Sequence, residues 1–253
     1  MPTLDVLGHP TWFTVHGAGD ETVLLLHGGL SNSDALLDTI GGPLGEQRRV
    51  AAFDRREHGR TADTPEAFHY ESMVDETIAV IEHLGGPVHI IGWSDGGIVG
   101  LLLALRRPEL VGRLVSIGSN YHCNALPDFT ATADRNHDPA VVAGRSRLAA
   151  AYAERSPDGP DHWAIVAAKT YHMFGIEPQL TVEDLARAPI PVLLMAGDDD
   201  VIPLSHTAAF FAGLPEAQLA IMPGASHALP REHPQEVVGL IERFLRSEIP
   251  PVR

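Results

Sequence analysis

The chain has 253 residues, and its 33 acidic against 18 basic side chains give a formal net charge of -15, which argues against a nucleic-acid partner. Cys123 is the one cysteine, so no disulfide can form within the chain, and we expect a reducing, cytoplasmic location. The sequence begins without the segments of a secretory signal, and no apolar stretch reaches the roughly 18 residues of a membrane span, so we predict no membrane association.

Two segments near the start of the chain have the pattern of β-strands. Residues 11–16 alternate polar and apolar side chains, and residues 21–26 run from polar into apolar ones. We predict that these two strands pair with each other at one side of a sheet. Residues 31–34 then supply capping side chains for a helix that ends near residue 40.

A glycine-rich loop, His27-Gly28-Gly29-Leu30, follows the second of these strands. Glycines at the junction of a strand and a helix allow backbone N–H groups to point at an anion. Such a loop can form half of an oxyanion hole, where N–H groups stabilise negative charge on a reacting carbonyl oxygen. The N–H of Gly29 is the first candidate for this role, and that of Leu30 is the second.

The next part of the chain alternates between strand and helix patterns. Residues 49–53 form an apolar strand that leads into a polar loop at residues 54–61. Residues 70–84 carry apolar side chains on one face, which predicts an amphipathic helix, and two glycines and a proline end it. This alternation favours a parallel sheet that is covered by helices on both faces.

Residues 88–105 have the pattern of a buried strand followed directly by an apolar helix. At the junction, residues 92–96 have the G-x-S-x-G spacing of a nucleophile elbow, a sharp turn that exposes a nucleophile. The turn is strained and requires small residues two positions before and after the nucleophile. The two glycines meet this requirement for Ser94, whereas Asp95 as the nucleophile would place Trp93 at a small-residue position. Ser94 is therefore the candidate nucleophile.

A further strand at residues 114–118 is followed by a long segment without strand patterns. We predict that residues 120–188 form a helical lid over the pocket, with helices at 147–154 and 162–173, while 1–119 and 189–253 form the core domain. The lid carries six candidate pocket-lining side chains: His137, His162, Trp163, Tyr171, His172 and Phe174.

Two loops near the end of the chain carry candidate catalytic groups. The strand at 190–196 ends in Gly197-Asp198-Asp199-Asp200, and the strand at 218–222 precedes a loop that contains His227. Helices are predicted after these loops, at 205–212 and 232–245. Because ligands bind at the carboxyl ends of parallel strands, we expect an aspartate of the first loop and His227 to lie near Ser94.

The order of these residues along the chain points to nucleophilic catalysis. A serine hydroxyl needs a neighbouring base to take its proton at neutral pH. Among the 14 histidines, His227 lies on a short loop between a late strand and the last helix, after both the serine and the aspartates. The order serine, acid, histidine is typical of one fold class of serine hydrolases.

These motifs together resemble the α/β-hydrolase superfamily over nearly the whole chain. The resemblance implies the α/β-hydrolase fold, a mostly parallel twisted sheet with helices on both faces and a helical lid insertion. In that superfamily the acid that orients the histidine lies three residues after a glycine, which selects Asp200, whereas counting back from Pro203 selects Asp199. The loop at residues 54–61 resembles the family pattern D-x-R-G-x-G-x-S, but Glu57 replaces its first glycine and Thr61 its serine.

The segment Gly92-Trp93-Ser94-Asp95-Gly96-Gly97 also resembles the elbow of valacyclovir hydrolases. That resemblance implies that the Asp95 side chain contacts an amino group of the substrate, while a capping role at the start of the helix is an alternative. Leu30, Trp93 and Asp95 are the candidate substrate-binding residues.

We therefore predict a serine hydrolase that cleaves a carboxylic ester or lactone of a small molecule, with Ser94, His227 and Asp200 as a catalytic triad and the N–H groups of Asp95 and Gly29 as the oxyanion hole. No cofactor is implied, and the lack of an H-E-x-x-H motif argues against a metal. Two alternatives remain open, a carbon–carbon bond hydrolase with the same triad and a non-catalytic ligand-binding relative. The sequence does not indicate the oligomeric state.

Overall fold

An eight-stranded sheet organises the structure, a computed structural model that describes residues 2–126 and 139–246, without the side chains of residues 139–144. The strands lie in the order β1-β2-β4-β3-β5-β6-β7-β8, and all pairs from β4 to β8 are parallel. Their bounds are β1 Thr3–Val6, β2 His9–His16, β3 Thr22–Leu26, β4 Arg49–Phe53, β5 Val88–Trp93, β6 Val111–Ile117, β7 Val192–Asp199 and β8 Ala217–Ser226. The predicted mostly parallel sheet is confirmed.

The predicted pairing of the first two strand segments is wrong. Strand β2 pairs antiparallel with β4, with Phe13 opposite Phe53, and β3 lies on the far side of β4. All five residues of β3 are buried, whereas β2 mixes buried and exposed ones. A predominantly apolar strand loses the most contact with water between two neighbours, so β3 takes a central place. The short strand β1, which the sequence analysis did not predict, pairs with β2 at the edge.

The helices cover both faces of the sheet. They are α1 Asp34–Leu36, α2 Gly42–Gly45, α3 Tyr70–Leu84, α4 Asp95–Arg106, α5 Pro139–Arg155, α6 Trp163–Ile176, α7 Val182–Leu185, α8 Leu204–Gly213, α9 Leu229–Glu232 and α10 Pro234–Arg246, with a π-helical turn at Leu37–Gly41. No helix in the described ranges is long and apolar enough to cross a membrane. The last helix, predicted at 232–245, is α10 and begins at Pro234. The shorter α9 ends at Glu232, because a proline disfavours the helical conformation of the residue before it, here His233.

Alternate residues of each central strand face two separate hydrophobic clusters. Leu24 of β3 belongs to the cluster that includes Val99 of α4, and Leu25 belongs to the one that includes Ile241 of α10. All four of these side chains are fully buried. Since successive side chains of a strand point to opposite faces, this division places helices on each side of the sheet.

The segment between β6 and β7 contains α5, α6 and α7, and polar side chains join it to the rest of the molecule. His162 Nε2 lies 2.5 Å from Asp63 Oδ2, and Lys169 Nζ donates to Asp63 Oδ1 at 2.7 Å. Arg155 Nε donates to Asp34 Oδ2 at 2.9 Å. These pairs tie the inserted segment to α1 and to the loop that follows β4.

Candidate active site

The turn between β5 and α4 holds Ser94 in a strained conformation. Its φ of 54° and ψ of -118° lie where side chains are disfavoured, a cost of about 1–3 kcal/mol. The Ser94 N–H donates to the carbonyl oxygen of Ile117 at 2.7 Å, which ties the turn to β6. A Cβ at Gly92 would lie 2.2 Å from the Gly96 oxygen, and one at Gly96 would lie 2.0 Å from the Leu26 oxygen. The tight turn therefore requires both glycines.

The structure brings Ser94, His227 and Asp200 together at the carboxyl edge of the sheet. His227 Nε2 lies 3.1 Å from Ser94 Oγ, and His227 Nδ1 lies 2.7 Å from Asp200 Oδ1. A carboxylate only accepts, so Nδ1 carries the proton and Nε2 is free to accept from the hydroxyl. The Asp200 side chain is buried and also accepts the N–H of Ile202 at 3.1 Å, whereas Asp199 is exposed. Of the two candidate acids, Asp200 is the one beside His227.

Two residues that the sequence analysis did not assign to this role lie against His227. Gly118, directly after β6, has a φ of +59°, and a Cβ there would lie 3.1 Å from both Asp200 Oδ2 and His227 Nδ1. Its position at the end of a parallel strand is the signal that could have revealed it. Trp93 Nε1 donates to the carbonyl oxygen of His227 at 2.8 Å, so this largely buried indole supports the histidine loop.

The glycine loop after β3 packs directly against the elbow. A Cβ at Gly29 would lie 2.4 Å from Asp95 Oδ2 and 2.8 Å from Cζ of Phe174 on α6, so only glycine fits. Leu30 follows with a φ of 55° and a buried side chain. No described backbone carbonyl accepts the Gly29 N–H, and the N–H of Asp95 is the first amide of α4.

The Asp95 side chain is buried beneath this loop. The hydroxyl of Tyr70 donates to its Oδ1 at 3.1 Å, while its Oδ2 has no hydrogen-bond partner among the described residues. Burial raises the pKa of Asp95 to about 6, and the nearby charge of Arg55 opposes this shift. Tyr70 and Arg55 lie 25 and 40 positions away in the sequence, and no local pattern pointed to either of them.

In the loop at residues 54–61, which resembles D-x-R-G-x-G-x-S, the first residue has a structural role. The buried Asp54 carboxylate accepts the N–H of Ser33 at 2.8 Å and that of Arg60 at 2.9 Å, so it joins two loops. Glu57 stands at the family glycine position with a φ of 71° and is buried. Burial and the neighbouring Asp63 carboxylate raise the pKa of Glu57 to about 9.

The candidate pocket-lining side chains of the inserted segment have different environments. His162 is paired with Asp63, and the ring of Trp163 packs against that of Tyr152. His172 is exposed, whereas Phe174 reaches the glycine loop, with its ring centroid 6.2 Å from that of Tyr171. His137 lies outside the described residues. Within the described residues, no three His, Cys, Asp or Glu side chains are arranged to hold a metal ion.

Comparison with known proteins identifies the family. A sequence model of the alpha/beta hydrolase family matches residues 23–240, most of the chain. The chain belongs to this family. The match runs from β3 to α10 and so includes the glycine loop, the elbow and the loops after β7 and β8. The predicted superfamily and fold are therefore confirmed.

Several known hydrolases resemble this chain in sequence or in fold. The chain is 26% identical over 255 residues to the "Putative carbamate hydrolase RutD" of Rhizobium rhizogenes, covering 93% of this chain and 97% of that protein. Among solved structures, a serine hydrolase involved in carbazole degradation, the CarC enzyme, superposes with a TM-score of 0.80 at 21% identity, over 96% of this chain and 97% of its own. Est816, an N-acyl homoserine lactone degrading enzyme, also gives a TM-score of 0.80, at 20% identity over 96% and 100%.

These similarities show an enzyme of the hydrolase type. The alternative of a non-catalytic binding protein is set aside, because the family match covers residues 23–240 and the relatives named above are hydrolases.

Proposed function

We propose that the protein is a serine hydrolase that cleaves a carboxylic ester or lactone of a small molecule through an acyl-enzyme on Ser94. The observation that carries this proposal is the continuous hydrogen-bond chain from Asp200 through His227 to Ser94, with distances of 2.7 and 3.1 Å. An imidazole in this arrangement can take the hydroxyl proton as the oxygen attacks.

The first half of the reaction forms the acyl-enzyme. Ser94 Oγ attacks the carbonyl carbon while His227 Nε2 accepts its proton. The Asp200 carboxylate holds Nδ1–H of the ring and stabilises the imidazolium that forms. His227 then returns the proton to the alcohol oxygen as the bond between acyl group and alcohol breaks. In the second half, water attacks the acyl group by the same route and regenerates Ser94.

The negative charge of the tetrahedral intermediate needs donors that are in place before the reaction. The N–H groups of Gly29 and Asp95 are the proposed donors, and the first faces no described backbone acceptor. Losing one such donor typically costs about 10²–10³ in kcat. Because Gly29 admits no side chain, its backbone can approach the reacting oxygen closely.

We assign Leu30, Trp93 and Asp95 to the substrate site and the segment 120–188 to a lid above it. Phe174 of this segment lies against Gly29, and this contact supports the placement of the segment over the reacting carbonyl. The buried Oδ2 of Asp95, which lacks a described partner, is suited to an N–H or ammonium group of the substrate. An Asp95→Asn variant should then lose more activity on an α-amino ester than on the corresponding plain ester.

Labelling and turnover test the proposal directly. A fluorophosphonate should label the folded wild-type protein at Ser94, and Ser94→Ala should abolish both labelling and turnover. A panel of aryl esters, lactones, carbamates and a ring-cleavage diketone should give the highest kcat/KM with an ester or lactone. An unlabelled Ser94 would contradict the acyl-enzyme, and preferential turnover of the diketone would instead establish carbon–carbon bond hydrolysis on the same triad.

A further inference from the structure

Arg55 is a fully buried arginine whose environment differs from that of Arg48, which is also buried. Arg48 forms ion pairs with Glu21 at 3.1 Å and with Glu242 at 2.6 Å. Arg55 is 0% exposed, yet neither its Nε nor its Nη1 has a hydrogen-bond partner among the described residues. Burying a guanidinium without a hydrogen-bonded carboxylate is costly, so the role of Arg55 has to be sought in the contacts that it does make.

The engaged end of the Arg55 side chain lies beneath the glycine loop. Its Nη2 donates to the carbonyl oxygen of Gly28 at 3.4 Å, and His27 Nδ1 lies 2.7 Å from the same oxygen. The backbone N–H of Arg55 donates to His27 Nε2 at 3.1 Å, so the proton of the neutral ring is on Nδ1, which donates to Gly28. Two donors from Arg55 and His27 therefore converge on one carbonyl.

That carbonyl belongs to the peptide that carries the proposed oxyanion donor. In a planar trans peptide the C=O of Gly28 and the N–H of Gly29 point in opposite directions, so fixing one fixes the other. A cation that bonds to the carbonyl oxygen also draws electron density through the peptide and strengthens the N–H as a donor. Asp95 and Glu76 lie near enough to balance the charge of Arg55 electrostatically.

We propose that Arg55 is a positioning residue of the oxyanion hole, whose guanidinium holds and polarises the Gly28–Gly29 peptide so that the Gly29 N–H stabilises the transition state. This inference rests on the proposed acyl-enzyme chemistry. Its effect falls on kcat and on the binding of transition-state analogues, while KM for an ester changes little, because the donor acts on charge that develops during the reaction.

Two substitutions at Arg55, with a matched control at Arg48, separate this role from a structural one. Arg48 lies directly before β4 and Arg55 lies two residues after it, so the two arginines are at opposite ends of this strand. Turnover of p-nitrophenyl acetate is divided by the fraction of sites that a fluorophosphonate labels, so unfolded protein does not count. Arg55→Met should lower kcat per active site about tenfold to a hundredfold and Arg55→Lys, which keeps the charge, about threefold to tenfold.

The inhibition constant of phenylboronic acid, which forms a tetrahedral adduct with an active serine, should rise by the same factors, with KM within about twofold of wild type. Arg48→Met should lose thermal stability and keep wild-type kcat per site. Wild-type kcat per site in both Arg55 variants, or in Arg55→Lys alone where Arg55→Met does not fold, would overturn the proposal. A wild-type protein that is neither labelled nor active on the ester would instead overturn the proposed function, and this inference with it.

Discussion

Two neighbouring polar groups of residues combine a histidine, a carboxylate and a hydroxyl in very different ways. The triad of Ser94, His227 and Asp200 lies at the carboxyl edge of the sheet, with the serine and the imidazole half-exposed. The buried cluster, which consists of His27, Arg55, Asp95 and Tyr70, lies beneath the glycine loop with its side chains almost wholly enclosed.

The difference lies in what the two histidines contact. His227 has a carboxylate on one nitrogen and a hydroxyl on the other, so it can accept a proton and hold it. Both nitrogens of His27 bond to backbone groups, and burial together with the charge of Arg55 keeps its pKa well below the ordinary value. Similar residue types are thus suited to a base in the case of His227 and to a structural hydrogen-bonding role in the case of His27, and the partner atoms and solvent access decide between the two.

Replacing the base should have the largest effect on rate. His227→Ala should lower kcat by about 10⁶, as loss of the histidine does in other serine triads. His172→Ala removes an exposed imidazole and should leave kcat unchanged. The measurement is ester turnover per labelled active site, and substantial activity in His227→Ala would mean that another group takes the serine proton.

Replacing the proposed acid, Asp200, should have the second largest effect on rate, and the neighbouring Asp199 provides a control. Asp200→Asn should lower kcat by about 10⁴, because an amide no longer holds the imidazole in the required tautomer. Asp199→Asn changes an exposed residue of the same loop and should leave the rate near wild type. The reverse result would assign the acid to Asp199, and the pair of variants distinguishes these outcomes in one assay.

A side chain at Gly118 should lower kcat less than the loss of the base or of the acid does. Gly118→Ala places a methyl group 3.1 Å from both Asp200 and His227, so kcat should fall about tenfold to a hundredfold through misplacement of the base. Gly85→Ala carries a similar left-handed strain, with a φ of +85°, but meets no atom within 4 Å. It should lose comparable thermal stability, about 1–2 kcal/mol, without the loss in kcat.

The smallest expected effect is the contribution of Glu57 to the pH dependence of folding stability. Its folded-state pKa is raised from 4.5 to about 9, so the folded protein retains a proton that the unfolded chain has released, and stability falls as pH rises towards 9. In the folded protein between pH 7 and 9, His27 and His58 are neutral and Asp95 is largely ionised, so these groups contribute little, and comparison with a Glu57 variant cancels the contribution of the remaining groups.

We expect the Tm of the wild-type protein to fall between pH 7 and 9 by a few degrees more than that of Glu57→Gln. Thermal melts at fixed ionic strength measure this difference. Equal pH dependence in the two proteins would show that the Glu57 carboxyl is already ionised in the folded state.

The sequence predicted those features that depend on local pattern or on chain order. The elbow at Ser94 was predictable because a strained turn restricts its neighbours, and His227 because it lies between a strand and a helix at the right place in the order. The choice between Asp199 and Asp200 needed coordinates, since one residue along a loop changes which carboxylate turns inward.

Other features depend on contacts between distant segments. The position of β3 between β4 and β5 follows from competition among strands for the centre of the sheet, which no single segment encodes. Tyr70 and Arg55 reach Asp95 from a helix and a loop, and Gly118 matters only because two other loops converge on it.

The strand order also places the three triad residues at unequal distances from the rim of the sheet. Ser94 follows β5, which has neighbours on both sides, whereas His227 follows β8, which has β7 on one side only. Elements with fewer neighbours can open locally at a lower free energy than whole-molecule unfolding. We therefore expect heating to displace His227 before the turn at Ser94 opens, so that inactivation precedes the collapse of the fold.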